Sequence, residues 1–209
     1  MTETPDHPQL YLITPAEIDL MVFPDQLAAC LDAVPVACVR LALGTRDEDR
    51  IARAADGLRE ITHARDVALV IEAHRQLVER LGLDGVHLTD AARSVGRVRK
   101  ELGPDAIVGA FCGNSRHDGM TAGELGADYV AFGPVAATAL GTGGVAEADL
   151  FQWWSEMIEV PVVAEGGLDL DRVRALAPFA DFFGLGDEIW RAEDPAAQLR
   201  AMAQAMGAV

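Results

Sequence analysis

Val160 to Leu168 reads VPVVAEGGL: β-branched residues run into a glutamate and two glycines, and Asp169 stands where it can cap a helix over 170–177. A buried parallel strand that turns through paired glycines onto a helix N-terminus leaves backbone N–H groups aimed at an anion. Gly166 and Gly167 carry no Cβ to hold a phosphate off. An ordinary tight turn uses the same glycines, so the pair gains meaning from what the other strand ends deliver. These are Arg40, Glu72, His87 with Asp90, Cys112 with Asn114, the loop from Gly133 to Gly144, Glu165, and Gly186 with Asp187. Carboxylates in such a ring suit a hard cation, arginine and amide donors suit phosphoryl oxygens, and a histidine beside a carboxylate suits proton transfer. Taken singly, each reads first as a solvated strand-end residue, and His87 as a hydrogen-bonded core histidine. The ring as a whole argues for a site.

The elements that must position these residues alternate along the chain. Short apolar runs at 10–13, 34–41, 67–71, 85–88, 106–110, 128–132, 160–165 and 182–185 read as strands. Helical periodicity covers 23–33, 48–62, 74–81, 91–102, 116–125, 146–158, 170–177 and 195–206. On the helix over 146–158, Leu150, Phe151, Trp154, Met157 and Ile158 form one broad face expected to pack rather than to cage a ligand. The pattern predicts a closed (βα)8 TIM barrel spanning residues 1–209 as one domain, with a doubly wound open sheet as the alternative. In a barrel the strand ends converge on one mouth, where a site is built.

Composition narrows the partners. With 17 Lys plus Arg against 33 Asp plus Glu, the formal net charge of −16 opposes binding to nucleic acid and to anionic membranes. No apolar stretch approaches membrane-spanning length, and the opening MTETPDHPQ lacks a basic segment leading into an apolar run, so a soluble cytoplasmic protein is expected. Cys30, Cys38 and Cys112 are too few and too scattered for a disulfide framework or a cysteine-rich zinc site. Cys30 and Cys38 read as small buried apolar side chains.

In order and spacing, LYLIT (10–14), the strand ending in Arg40, DGVHL (84–88), LGPDAIVG (102–109), GADYVAFGPV (126–135) with Thr138, PVVAEGG (161–167) and AEDPAA (192–197) resemble the thiamine phosphate synthase family, which includes the thiazole tautomerases. The resemblance covers almost the whole chain and implies a (βα)8 barrel. It implies coupling of an aminopyrimidine methyl diphosphate to a thiazole phosphate, with release of pyrophosphate and help from Mg2+. It also implies a thiamine precursor or related heterocycle as ligand, and a homodimer. By the same resemblance Arg40 and Thr138 hold pyrophosphate, and Gly166 and Gly167 hold the thiazole phosphate.

Departures from the family pattern cluster at the mouth. Its Asn-Asp pair falls on Glu72 and Ala73, and its second metal aspartate on Ala92. Cys38, Ala42 and Gly141 stand where the pattern has a glutamine and two lysines, and Cys112 and Asn114 replace a serine and a histidine, with His117 one helical turn further on. Glu165 precedes the glycine pair in place of an aliphatic residue, and Asp187 replaces a serine. A carboxylate about 4 Å from a bound phosphate costs on the order of 4 kcal/mol at an effective dielectric of about 20, roughly a thousandfold in affinity, as an upper bound. Glu165 would escape that penalty if it pointed away from the phosphate, and Asp187 if it paired with Arg40.

These residues leave three readings open. In a synthase, Arg40 and Thr138 bind pyrophosphate, Gly166, Gly167, Gly186, Asp187 and Asn114 surround the phosphate or substrate, and Glu72 with Asp90 form a shifted Mg2+ site. In an isomerase of the tautomerase kind, His87, His117, Glu72 and Glu165 supply acid and base groups. In a non-catalytic barrel, the acidic mouth binds a cationic or neutral small molecule.

Overall fold

The computed structural model describes residues 7–137 and 144–207. Thr138 and Gly141 lie outside the described residues. Eight parallel strands close into a barrel in chain order: β1 Gln9–Ile13, β2 Cys38–Leu41, β3 Ala68–Glu72, β4 Gly85–Leu88, β5 Ile107–Phe111, β6 Tyr129–Phe132, β7 Val162–Glu165 and β8 Phe182–Leu185. Because β1 pairs with both β2 and β8, the sheet has no edge, and the open-sheet alternative is excluded. The outer ring is α1 Phe23–Ala33, α2 Glu48–His63, α3 Val78–Leu81, α4 Val95–Leu102, α5 Arg116–Glu124, α6 Ala148–Met157, α7 Leu170–Leu176, a short α8 Asp187–Trp190, and α9 Pro195–Ala205.

Strand pleat separates two apolar populations. Leu10, Leu12, Val39, Leu41, Leu69 and Ile71 join the core between sheet and helices, whereas Tyr11, Cys38, Val70, Tyr129, Ala131 and Val163 form a separate cluster inside the barrel. Following the register around the tilted sheet, alternate strands put Arg40, His87, Ala131 and Gly184 at one level. Ile13, Glu72, Phe111 and Glu165 lie one level nearer the mouth. Among the described residues, the charged side chains inside the barrel, Arg40, Glu72 and Glu165, lie in these two levels.

Helix starts follow local chemistry. Asp47, Ser115, Asp169 and Asp194 each accept a hydrogen bond from an N–H of the first turn of α2, α5, α7 and α9, each such cap contributing about 1 kcal/mol. Three helices begin later than periodicity predicts: α6 by two residues, and two others for a reason visible in the backbone. Ala91 has φ 58° and Ala73 φ 63°, left-handed conformations that a helix cannot contain. The expected helix over 91–102 thus starts at Val95, and that over 74–81 is a 3-10 turn at Arg75–Leu77 followed by α3. The second strand is also shorter than read, since Val34 to Ala37 precede the ladder.

On α6, Leu150, Phe151 and Trp154 are buried, and Phe132 packs edge-on against both rings, at centroid distances of 6.0 Å (Phe151) and 4.9 Å (Trp154). Met157 departs from the expected packing face and is 63% exposed. All three cysteines are buried, and burial pushes their thiols up to about 11 (Cys30), 12 (Cys38) and 12 (Cys112), so they are apolar filling rather than nucleophiles. No helix among the described residues is long and apolar enough to cross a membrane.

Candidate functional site

Arg40 enters the barrel from β2 and is buried to 4% exposure. One of its terminal nitrogens, Nη1, lies 2.6 Å from His87 Nε2 and 3.1 Å from Glu165 Oε2; the other, Nη2, donates to Glu165 Oε1 at 3.2 Å. Arg40 Nε faces Glu72 Oε2 at 3.4 Å and has no hydrogen-bond partner among the described residues. A guanidinium cannot accept, so His87 Nε2 must be the unprotonated, accepting nitrogen. The ring proton then sits on Nδ1, which donates to the Tyr129 hydroxyl at 2.9 Å, and that oxygen lies 2.8 Å from the Tyr11 hydroxyl. Burial, and then the charge of Arg40, hold the His87 imidazole well below its usual range. The same burial raises both phenols above theirs.

Small residues make this arrangement possible. Tyr129 reaches His87 through space that a side chain on β5 would fill: a Cβ added to Gly109 would stand 2.0 Å from the tyrosine Cζ. Ala131 and Gly184 share the level of Arg40 and leave room for its head group and for Glu165. His87 therefore spends both ring nitrogens inside the barrel. Glu165 points at Arg40, away from the glycine turn that follows it. Burial raises the Glu72 carboxyl above its usual range, with Arg40 lowering it by less.

The glycine turn has its own carboxylate. Gly166 and Gly167 adopt φ 80° and 79°, conformations open to glycine, and a Cβ on Gly167 would come within 2.9 Å of Ala136. The turn so formed aims the N–H groups of Gly167 and Leu168 at one point. Glu188, in the first turn of α8, occupies that point: its Oε1 accepts from Gly167 N at 2.9 Å and Leu168 N at 3.2 Å, and its Oε2 from Gly186 N at 2.9 Å. The negative charge expected to oppose a phosphate here from Glu165 comes instead from Glu188. Asp187 does not pair with Arg40, as envisaged above, but with Arg191 at 2.5 Å on the exposed face of α8, because the helix turns its side chain outward.

The remaining predicted residues lie on the β4 and β5 side. Asp90 Oδ2 accepts from Ser94 at 2.6 Å, while its Oδ1 is buried without a hydrogen-bond partner among the described residues. Asp90 lines a cavity of about 600 Å3 with Arg93, Cys112, Gly113 and Asp118. Asn114 and His117 are exposed in the loop after β5 and at the start of α5, and neither lines that cavity. Among the described residues no three His, Cys, Asp or Glu side chains come close enough to hold a metal ion. Magnesium carried on substrate phosphates needs only one or two carboxylates. The orphaned Asp90 oxygen fits that demand, whereas Glu72 is engaged with Arg40.

Tyr11, Tyr129 and Glu188 were not singled out from sequence. Strand alternation carries a signal for the tyrosines, since Tyr11 and Tyr129 fall on the inward phase of β1 and β6. For Glu188, one turn of helix gives no periodicity, and two of its three N–H partners, Gly167 and Leu168, are brought near only by the pairing of β8 with β7.

Comparison with known proteins places this architecture. Residues 10–181 match the family described as thiamine monophosphate synthase. The thiamine-phosphate synthase of Rhodospirillum centenum is 43% identical over 186 residues, covering 87% of this chain and 89% of that protein. The one from Erythrobacter litoralis is 38% identical over the full length of both chains. In three dimensions the barrel superimposes on thiamine phosphate pyrophosphorylase from Pyrococcus furiosus with a TM-score of 0.82 at 21% identity, covering 95% of each chain, which bears on the fold alone. A closed barrel with a polar mouth and a glycine turn after β7, matched at such identity over nearly its whole length, makes this chain a member of the thiamine monophosphate synthase family.

Proposed function

We propose that this protein is a transferase of thiamine biosynthesis, working at the mouth of a single cytoplasmic barrel to join an aminopyrimidine methyl diphosphate to a thiazole phosphate with release of pyrophosphate. The observation that carries this reading is the identity of 43% and 38% to two proteins named thiamine-phosphate synthase, extending over the strands that build the mouth. The substrates are small molecules, and the acidic surface gives no footing for nucleic acid.

Within that reading the diphosphate lies over β4 and β5, where Arg93 offers a cation and Asp90 an unpartnered carboxylate oxygen. When bound there, magnesium supplies charge neutralisation on the leaving pyrophosphate, and Asp90 is the residue that would hold it. Arg40, tied to Glu165 and facing Glu72, sets the charge of the pocket floor instead of gripping pyrophosphate. His87 keeps that arginine in place and holds its own proton on Nδ1, toward Tyr129.

Incubating the purified protein with aminopyrimidine methyl diphosphate, magnesium and the thiazole phosphate, with detection of the coupled product by mass spectrometry, tests the proposal. Product and pyrophosphate forming together support it. Absence of coupling overturns it.

A further inference from the structure

We propose that Glu188 is a positioning residue for the phosphate of the acceptor: its carboxylate and that phosphate exchange at the same three backbone N–H groups. The protein's own anion thereby sets how tightly the thiazole phosphate is held and helps expel the coupled product, which carries the same phosphate. The inference rests on the transferase reading for the identity of these two molecules, but not for the exchange itself.

The three donors come from two strand ends. β7 and β8 pair with Glu165 opposite Gly184, which sets the turns that follow them side by side. Glu188 bridges these turns. Its Oε1 accepts from Gly167 N at 2.9 Å and Leu168 N at 3.2 Å after β7, and its Oε2 from Gly186 N at 2.9 Å after β8. A phosphate presents the same kind of charged oxygen, and backbone N–H groups gathered at a glycine turn accept either anion.

Exchange conserves hydrogen bonds. As phosphate arrives, the N–H groups pass from one charged oxygen to another and the carboxylate turns to water. As phosphate leaves, Glu188 returns, and no donor is stranded in either direction. Glu188 is placed for this movement: it is half-buried, it stands on a single turn of helix, and its side chain has no other hydrogen-bond partner among the described residues. Glu165, one residue before the same glycines, is locked to Arg40.

The consequence falls on affinity. A carboxylate that competes for the phosphate weakens acceptor and product by one factor. Uniform weakening raises KM, and it shortens the lifetime of a product complex that would otherwise slow turnover. If the carboxylate is at the turn about ten times as often as away from it, each phosphate binds about tenfold more weakly than the N–H groups alone allow.

The test compares wild type with Glu188→Ala and with Glu188→Gln, which keeps the size of the side chain without its charge. Calorimetry measures binding of inorganic phosphate, the thiazole phosphate, the coupled product and the unphosphorylated thiazole alcohol, with circular dichroism to verify folding. The expected result is that Glu188→Ala binds the thiazole phosphate and the coupled product about tenfold more tightly than wild type, while the alcohol gains nothing. In steady-state turnover the KM for thiazole phosphate falls by a similar factor, product inhibition sets in at lower concentration, and kcat does not rise. Glu188→Gln shows a smaller gain in the same direction. A folded Glu188→Ala variant that binds the thiazole phosphate no more tightly than wild type overturns the inference, as does an equal gain for the alcohol. Turnover separates the two proposals: coupling by wild type, without a gain in phosphate affinity on truncation, sinks the exchange and leaves the transferase standing. Failure to couple, with the gain for the phosphates as expected, does the reverse.

Discussion

Glu165 and Glu188 both place a carboxylate where the mouth could receive an anion, but they differ in depth and in what they hold. Glu165 lies inside the barrel with its side chain 12% exposed, locked to a buried guanidinium. Glu188 lies at the rim and binds only backbone N–H groups. Removing a partner from a buried ion pair leaves a charge with nowhere to go, whereas half-buried N–H groups can return to water. The inner site is therefore part of what keeps the barrel folded, and the rim site is open to exchange of one anion for another.

Arg40→Ala breaks that contrast most severely if it is wrong. It strands Glu165, and Glu72 beside it, so unfolding in urea should show a loss of about 3–5 kcal/mol. The parallel truncation at the rim, Glu188→Ala, should cost about 1 kcal/mol in the same measurement. Equal losses would mean that the two carboxylates are held alike. Next in size is Gly109→Ala, whose Cβ would collide with the Tyr129 ring that supports His87. A loss of about 1–3 kcal/mol is expected, and two-dimensional NMR should show the His87 imidazole resonances displaced.

The pH dependence sharpens the inner site without destroying it. His87 has a lowered pKa, so as pH falls below about 6.5 the unfolded chain takes up a proton that the folded chain refuses, and wild type loses stability. His87→Gln should flatten that limb of the stability profile. Glu72 works in the opposite sense. Its folded pKa is raised, so the stability it contributes is fully present below about pH 4.3 and is lost as pH rises through the folded value. Glu72→Gln should therefore gain on wild type over that window and hold its advantage at neutral pH. Matched urea titrations across pH 4 to 8 check both signs, and a Glu72→Gln profile parallel to wild type would remove burial as the dominant influence on that carboxyl.

How much of this could be read beforehand follows from the range of each interaction. Strands β4 and β8 have the limits that the apolar runs at 85–88 and 182–185 predict, since a buried parallel strand announces itself locally. The Asp169 cap and the glycine turn are equally local. The inward direction of Arg40 follows from strand alternation, but its partners come from β3, β4 and β7, and no short-range signal joins them. Helix α8 and Glu188 escaped detection for the same reason. The late starts of α3 and α4 trace to Ala73 and Ala91, because alanine ordinarily favours helix and nothing in its identity indicates a left-handed backbone.

Those two alanines yield the smallest effect and bear on how the mouth acquired its present charges. Ala73 follows Glu72 at φ 63°, where an L-residue pays about 1–2 kcal/mol that glycine does not. Its neighbour Glu72 ends β3, and the resemblance puts the aspartate of the family's Asn-Asp pair at position 73; aspartate and asparagine are enriched in this backbone region. The backbone at Ala73 is thus of a kind that an aspartate or asparagine adopts more readily than an alanine. Ala73→Gly should stabilise the protein by about 0.5–1 kcal/mol once the greater freedom of glycine in the unfolded chain is set against the relieved strain, as measured by urea midpoint. Ala73→Asp should be tolerated at this exposed position, and in the same experiment Ala16→Gly, in a segment without a positive φ, should not stabilise. A destabilised Ala73→Gly would show that the left-handed turn is maintained by contacts of the alanine methyl, and the backbone after β3 would then belong to the present mouth rather than to the one the family pattern describes.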